Sequence, residues 1–203
     1  MRTGSHWSGA YALDTRKPVV REYVRAVERT VVCDWGFQLL QLDFLYAACL
    51  VPHDGMNRGE LMADAMQLLR EAAGEDTLLL GCGVPLASAF GVVDYCRIGC
   101  DVGLDWDDKP HMRLLHSERV STKNSLGNTV SRAPLDGRAF GNDPDVFFLR
   151  PDVKLSARRR ATLLNTDAKC GSVLLTSDDM GDWNADDREL FLSAVRTLLA
   201  RKR

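Results

Sequence analysis

Two aspartates follow short apolar runs of the kind that form buried strands. Asp43 comes directly after the run ending in Leu42, and Asp101 comes after Arg97-Ile98-Gly99-Cys100. Parallel α/β sheets and barrels carry their chemistry at the carboxyl ends of their strands. Two carboxylates in such positions are the minimum set of catalytic groups for cleaving a glycosidic bond. One attacks the anomeric carbon, and the other transfers a proton. For each Asp alone, the alternative of a cap on the following helix or turn stays open.

A third segment, Gly81-Cys82-Gly83, lies between the two aspartates. Its glycines would let the backbone come close to a ligand, although a tight turn with Cys82 as a small packing residue is the alternative. A cysteine nucleophile would need a nearby His base, and His53, His111 and His116 fall in predicted loops or helices without a distinctive spacing. The six cysteines show no CxxC pair and no zinc-like spacing, so we expect them to be reduced.

The composition is that of an ordinary globular domain, with 203 residues, 45% of them hydrophobic and 27% charged. A formal charge of −2 makes nucleic acid an unexpected partner, because the basic residues are spread among acids. The sequence has no apolar core of a secretion signal and no run long enough to span a membrane. We therefore expect a cytoplasmic protein.

Short β-rich runs alternate with longer amphipathic stretches, which favours βα units around a parallel sheet. A first helix is predicted to begin at Pro18 and to end before Trp35-Gly36. Further helices are predicted over 58–73, within 111–132, from an N-cap at Ser156 to 169, and over 185–203. The apolar positions predicted to face inward are Val19, Val20, Tyr23, Val24, Val27 and Val31 in the first helix, and Leu190, Phe191, Ala194, Val195, Leu198 and Leu199 in the last. The predicted strands are residues 37–42, 78–81, 95–98, 146–149 and 173–176.

Several motifs, taken in order, resemble the melibiase-type α-galactosidases of glycoside hydrolase family thirty-six, from about residue 11 to about residue 199. The motifs are Ala12-Leu13-Asp14, Trp35-Gly36-Phe37, Leu42-Asp43-Phe44-Leu45-Tyr46-Ala47, Leu79-Leu80-Gly81-Cys82-Gly83, Val93-Asp94, Arg97-Ile98-Gly99, Asn142-Asp143-Pro144-Asp145 and Ser177-Asp178-Asp179-Met180-Gly181. The resemblance implies an incomplete (β/α)8 TIM barrel of about five βα units, corresponding to strands 4 to 8. Residues 1–203 would then form a single partial catalytic domain without the flanking β-domains of the family.

The resemblance also implies site residues for a retaining α-galactosidase that cleaves terminal α-linked galactose from oligosaccharides. Asp43, after the fourth barrel strand, would be the nucleophile, and Asp101, after the sixth, the general acid and base. The acids of Asn142-Asp143-Pro144-Asp145 and of Ser177-Asp178-Asp179 would orient loops and neighbouring side chains rather than bind a metal, so no metal and no cofactor are expected. Trp35 is a candidate for an aromatic sugar contact, with a core role equally open. The residues expected to bind the substrate are Gln41, Cys82, Gly83, Arg97 and Trp106.

Two departures from the family pattern leave alternatives open. The family has Lys-x-Asp at the nucleophile, and the Lys position here is Gln41, which keeps hydrogen bonding but not the positive charge. The first three barrel strands also have no counterpart, so the chain is part of a longer gene product, pairs with a second copy or a separate barrel half, or is a remnant. A non-catalytic carbohydrate-binding protein is the main rival to the hydrolase. A galactosyl-transferring relative would use the same two carboxylates.

Overall fold

The computed structural model describes residues 11–50, 55–114 and 120–201. The chain divides into two compact units, the first ending at Cys96 and the second beginning at Arg97. The elements of the first unit are α1 (Pro18–Arg29) with a π-helical continuation (Thr30–Asp34), β1 (Leu39–Leu42), a 3-10 turn (Leu45–Cys49), α2 (Arg58–Ala73), β2 (Leu78–Gly81), α3 (Leu86–Ala89) and β3 (Tyr95–Arg97), whose last residue belongs to the second unit.

Local sequence signals define the ends of the helices in this unit. Pro18 occupies the first turn of α1, where its missing N–H leaves no hydrogen bond unmade. Asn57 caps α2 by accepting from the N–H groups of Gly59 and Glu60, while the Glu60 carboxylate accepts from the Asn57 N–H. The α2 helix ends at Gly74, whose φ of +79° a residue with a side chain rarely adopts.

The strands of the first unit are parallel. Residues Leu39 to Leu42 of β1 pair with Leu78 to Gly81 of β2, and Leu80 and Gly81 of β2 pair with Tyr95 and Cys96 of β3. The α2 helix and the β2 strand both supply buried apolar residues to the core, which includes Leu61, Met62, Met66, Leu68, Leu79 and Leu80. Because side chains alternate along a strand, Leu39 and Gln41 share one face with Leu78 and Leu80.

The second unit is built from short strands and longer helices. Its β5 and β6 are parallel, with Val146 paired to Leu175 and Phe147 to Thr176. Its core joins Phe147, Phe191 and Trp183, with 5.9 Å between the ring centroids of Phe147 and Phe191 and 5.2 Å between those of Trp183 and Phe191. The elements are α4 (Pro110–Leu114), α5 (Thr122–Arg132), a 3-10 turn (Ala133–Leu135), β4 (Gly141–Asp143), β5 (Val146–Phe147), α6 (Ala157–Cys170), β6 (Leu175–Thr176), a second 3-10 turn (Met180–Asp182) and α7 (Ala185–Arg201).

The structure confirms an α/β fold with parallel pairing, and several predicted elements with it. The helix over 58–73, the strand over 78–81 and the Ser156 cap lie where the sequence placed them. The helix predicted within 111–132 is two helices, α4 and α5. The other predicted strands are shorter than expected, and β4 was not predicted at all. The predicted end of the last helix, Lys202 and Arg203, lies outside the described residues.

The predicted inward face of the first helix is wrong for three of its six residues. Val19, Tyr23 and Val27 are exposed, while Glu28 is the buried residue of α1. The reason is that α1 packs against α2, where Arg21 pairs with Asp64 at 2.9 Å. In this packing, the face of α1 that carries Val19, Tyr23 and Val27 points outward. In α7 the predicted stripe is buried only around Ala194, and Leu199 is exposed.

In the described part of the chain, no helix combines the length and the apolar character needed to cross a membrane.

Candidate functional site

Asp43 projects from the carboxyl end of β1 and is exposed to solvent. The next residue, Phe44, has a left-handed backbone (φ 56°), which is uncommon outside glycine. Its N–H donates to the Asp43 Oδ1 at 2.6 Å. This contact fixes one carboxylate oxygen of Asp43 against the turn. Strained backbone of this kind concentrates at functional sites because only a well-packed surrounding maintains it.

The loop after β2 is joined to the loop after β1 by backbone hydrogen bonds. The Cys82 N–H donates to the Leu42 carbonyl at 2.8 Å, and the Tyr46 N–H donates to the Gly83 carbonyl at 2.7 Å. Gly83 has a φ of +61°, and a Cβ there would lie 3.3 Å from the backbone of Phe44. The glycine is therefore required both for its backbone angle and for the close approach of the two loops.

These contacts bring together four of the residues that the sequence predicted. Asp43 and Cys82 follow paired positions of β1 and β2, and Gln41, two residues before Asp43, lies on the same face of the sheet. The Gln41 side chain is exposed, whereas Cys82 is buried. The first unit thus has the Asp43 carboxylate and the Gln41 amide at one edge of the sheet. Gly83 lies close to Phe44, the residue after Asp43.

In the second unit, Arg97 lies at the centre of an ion-pair cluster. Its side chain is 8% exposed; Nε lies 2.8 Å from the Asp143 Oδ2, and Nη1 lies 2.9 Å from the Asp145 Oδ1. Nη1 also lies 3.3 Å from Oδ1 of Asp101, whose side chain is 60% exposed. Two buried carboxylates therefore fix the guanidinium that in turn contacts the exposed Asp101.

The Asn142-Asp143-Pro144-Asp145 motif was expected to orient loops and neighbouring side chains. The structure shows the hydrogen bonds through which Asp145 does so. Asp145 accepts from the Val102 N–H at 2.6 Å through Oδ2 and donates its own N–H to the Asp143 Oδ1 at 2.8 Å. Its φ of +86° is strained for a residue with a side chain. Because Val102 follows Asp101 directly, Asp145 also anchors the backbone at the candidate acid.

Burial controls the ionisation of the acids behind this cluster. Burial raises the pKa of Asp145, and the Arg97 charge opposes that rise. The pKa of Asp167 on α6 is raised further, first by its burial and then by the negative charges of Asp145 and Asp143. Burial therefore favours the neutral form of the Asp167 carboxyl. The sequence around Asp167 gave no signal that this acid is buried.

The two tryptophans lie in different surroundings. Trp106 packs against the core of the second unit, and the Arg159 guanidinium carbon lies 4.3 Å from its ring centroid. One face of Trp106 is thus covered within the protein. Trp35 is exposed and makes an edge contact with Phe37 at 6.5 Å, so the alternative of a core role for Trp35 is wrong.

An open pocket of about 410 Å³ lies beside the Asp101 segment. It is lined by Cys100 and by the α5 residues Lys123, Asn124, Gly127 and Asn128. Among the residues that the structure describes, no group of three or more His, Cys, Asp or Glu side chains could hold a metal ion. The chemistry available at these positions is that of carboxylates, amides and a fixed guanidinium.

No family model matches the sequence. The structure is similar to that of TtGalA, the alpha-galactosidase from Thermus thermophilus, at 31% sequence identity. Its complex with stachyose matches with a TM-score of 0.82, and its complex with p-nitrophenyl α-D-galactopyranoside matches with a TM-score of 0.83. Alpha-galactosidase I from Mortierella vinacea matches with a TM-score of 0.69 at 17% identity over 87% of this chain, which supports the fold alone.

The matches cover nearly all of this chain but a minor part of the enzymes. They span 96% and 97% of this chain, against 42% and 40% of TtGalA in its two complexes. The chain therefore spans about two-fifths of the length of the T. thermophilus enzyme. The resemblance predicted from the motifs is confirmed, and the chain is a relative of the melibiase-type α-galactosidases that corresponds to part of their length.

Proposed function

We propose that this chain carries the catalytic part of a retaining α-galactosidase, with Asp43 as nucleophile and Asp101 as general acid and base. The observation that carries the proposal is the position of these exposed carboxylates, after β1 and β3, in a chain 31% identical to an enzyme whose complexes contain stachyose and an aryl α-galactoside. The substrates are oligosaccharides with a terminal α-linked galactose.

The reaction proceeds by two displacements at the anomeric carbon. The Asp43 carboxylate forms a bond to that carbon while the bond to the leaving oxygen breaks and Asp101 gives that oxygen its proton. Water then attacks the glycosyl-enzyme ester, Asp101 takes a proton from the water, and the bond to Asp43 breaks to release galactose. Arg97 positions Asp101 through the contact at 3.3 Å, and Gln41 hydrogen-bonds sugar hydroxyls from the face that carries Asp43.

The same proposal extends to the fold. Residues 1–203 form a single partial TIM-barrel domain of about five βα units, in which β1, β2 and β3 are barrel strands 4, 5 and 6. The β4 and β5 strands together form strand 7, interrupted where Pro144 and the strained Asp145 break the ladder, and β6 is strand 8. This assignment reconciles the six observed strands with the five that the sequence predicted.

Hydrolysis of p-nitrophenyl α-D-galactopyranoside by the purified chain tests the assignment of Asp43. We expect activity that is lost in Asp43→Gly and returns with sodium azide as a β-galactosyl azide product, because azide replaces the missing carboxylate from the same side. The matched control is Asp76→Asn, at an exposed position before β2, which should keep full activity. Active wild type with an equally active Asp43→Gly variant would disprove the nucleophile assignment.

The role of Asp101 is tested by comparing two leaving groups. Asp101→Asn should lose at least tenfold more kcat/KM on melibiose than on the aryl galactoside, because p-nitrophenolate leaves without a proton. An equal loss on both substrates would contradict the role of proton donor.

A carbohydrate-binding protein without turnover is the second candidate function, and Gln41 in place of the family Lys favours it. Calorimetry with melibiose separates the two. Binding without hydrolysis, unchanged in Gln41→Lys, would favour the binding protein, whereas a gain of turnover in Gln41→Lys would support the hydrolase.

A further inference from the structure

Asp145 has a backbone conformation that favours glycine. Its φ is +86°, and the residue is 7% exposed. A buried carboxyl group on strained backbone costs free energy that a glycine at this position would avoid. Strain of this kind persists only where the surroundings fix it, and it concentrates at functional sites. The contacts of the Asp145 side chain are therefore the place to look for its purpose.

The two oxygens of the Asp145 carboxylate reach Asp101 by separate routes. Oδ2 accepts from the N–H of Val102, the residue after Asp101, at 2.6 Å. Oδ1 lies 2.9 Å from Nη1 of Arg97, and the same Nη1 lies 3.3 Å from Oδ1 of Asp101. One side chain thus fixes both the backbone that follows Asp101 and the guanidinium that contacts the Asp101 carboxylate.

Asp101 needs such contacts because its side chain is 60% exposed. Burial does not restrict an exposed carboxylate, so its contacts determine where it lies. Proton transfer to a leaving oxygen requires the two oxygens to lie about 2.6 to 3.2 Å apart. Asp145 is itself held, because its N–H donates to Oδ1 of Asp143 at 2.8 Å, and the Asp143 side chain is fully buried. The contacts therefore run from a buried, fixed group to the exposed one.

We propose that Asp145 is a positioning residue for Asp101 and holds this general acid in place through the Val102 N–H and through Arg97. The proposal rests on the function proposed above. Both oxygens of Asp145 are needed as acceptors, since the two donors approach different oxygens. An asparagine side chain has one acceptor oxygen and cannot replace both. The step that depends on Asp145 is proton transfer to the leaving oxygen.

The charges of the cluster indicate that Asp145→Asn folds. In this variant Arg97 keeps the buried Asp143 as its counter-ion at 2.8 Å, so no buried charge loses its partner. Asp145→Gly is a second variant with the same purpose. Glycine adopts a φ of +86° without strain, so this substitution removes both oxygens and leaves the backbone conformation accessible.

Asp178→Asn is the matched control. Its side chain is 1% exposed, and Oδ2 accepts from the N–H groups of Leu149 and Arg150 at 2.6 and 3.1 Å. Asp178 is thus a buried carboxylate that fixes backbone in the same unit, but the backbone that it fixes follows β5 rather than Asp101. A loss of packing or stability alone should affect Asp145→Asn and Asp178→Asn alike.

The first measurement compares kcat/KM on melibiose with kcat/KM on p-nitrophenyl α-D-galactopyranoside. Asp145→Asn and Asp145→Gly should lose about tenfold more on melibiose than on the aryl galactoside, because p-nitrophenolate leaves without a proton. The loss should lie in kcat rather than in KM, since Asp145 acts on the proton donor and not on sugar binding. Asp178→Asn should leave the ratio of the two substrates unchanged.

A double-mutant cycle shows whether Asp145 acts through Asp101. When Asp101→Asn is already present, adding Asp145→Asn should lower kcat/KM on melibiose by about twofold at most, because the carboxylate that it positions is gone. Asp178→Asn should have the same effect in both backgrounds.

A third measurement reads the position of Asp101 without turnover. The carboxyl ¹³C NMR signal of Asp101, assigned by its loss in Asp101→Asn, should shift in Asp145→Asn and stay unchanged in Asp178→Asn. A wild type that hydrolyses neither substrate would overturn the proposed function, and this signal would then decide the role of Asp145 by itself.

Three results would overturn the inference. The first is an equal loss on both substrates in the folded Asp145 variants. The second is a further loss of about tenfold from Asp145→Asn in the Asp101→Asn background. The third is an Asp101 carboxyl signal that does not move in either Asp145 variant.

Discussion

Arg97 shows how one side chain combines stability with a functional contact. Its guanidinium bonds to Asp143, which is fully buried, and to Asp145, and it reaches the exposed Asp101 as well. Burying three charged groups is favourable only when their geometry and hydrogen bonds compensate the lost hydration. The cluster therefore fixes the position of Asp101 through groups that are themselves fixed.

Removing the guanidinium should be strongly destabilising. Arg97→Met leaves Asp143 and Asp145 as buried carboxylates without a cation, and we expect the free energy of unfolding to fall by about 3 to 5 kcal/mol. Urea denaturation followed by circular dichroism measures this loss. The control is Arg25→Met, which breaks the exposed pair of Arg25 with Glu22 and should cost about 1 kcal/mol or less. Equal losses in the two variants would refute the structural role of Arg97.

Glu28 gives the stability of the protein a defined pH dependence. Its pKa is 4.5 when exposed and about 7 in the folded protein, so between these values the unfolded chain has released a proton that the folded chain keeps. Stability therefore falls as the pH rises from 4.5 to 7, and the full penalty is present above 7.

Glu28→Gln should remove this penalty. The variant should match the wild type at pH 4 and exceed it at pH 8 by about 3 kcal/mol at most, since one pKa unit corresponds to about 1.4 kcal/mol. Urea unfolding at pH 4, 6 and 8 measures the difference, with Glu22→Gln as the exposed control that should show no such trend. A difference that does not vary with pH would contradict the burial of a neutral Glu28.

At the scale of elements, the sequence predicted the features that neighbouring residues determine, such as the ends of a helix. The α2 helix has a capping box at Asn57 and a glycine stop at Gly74, and both its ends were predicted correctly. The orientation of α1 was not predicted correctly. Val19 and Val20 are equally apolar, and only packing against α2 decides which of them faces inward. The β4 strand was missed because Gly141-Asn142-Asp143 has low strand propensity and forms its strand through tertiary contacts.

The loops after β1 and β2 form one element through Gly83, and a side chain there should disturb both. Gly83→Ala places a Cβ 3.3 Å from Phe44 and Tyr46 in addition to straining a φ of +61°. We expect a loss of about 2 kcal/mol in stability and at least a tenfold loss of galactoside hydrolysis, since Asp43 adjoins Phe44. Gly91→Ala has a similar φ, +72°, with no atom within 4 Å, and should cost about 1 kcal/mol without affecting activity. Thermal unfolding and initial rates on the aryl galactoside distinguish the two variants.

At the scale of the whole molecule, the sequence indicated the candidate carboxylates but not the residues that hold Asp101 in place. The positions of Asp43 and Asp101 after strands were predictable because strand ends are visible in the sequence. The bond between Arg97 and Asp143 joins residues 46 positions apart and depends on tertiary structure that no local pattern encodes. The burial of Glu28 was not predictable for the same reason, because it depends on how α1 packs against α2.

The exposed edge of β1 should govern how the isolated chain behaves at high concentration. Without an added strand, the backbone of β1 and the side chains of Phe37 and Leu39 are exposed to other copies of the chain, and such edges associate. We expect weak self-association in sedimentation equilibrium, which Leu39→Lys weakens at least tenfold because a charge on an edge strand opposes pairing. Val130→Lys, at an exposed apolar position on α5 in the second unit, adds the same charge and should leave the association unchanged. If both variants weaken the association equally, net charge rather than the β1 edge is responsible, and the edge is not the associating surface.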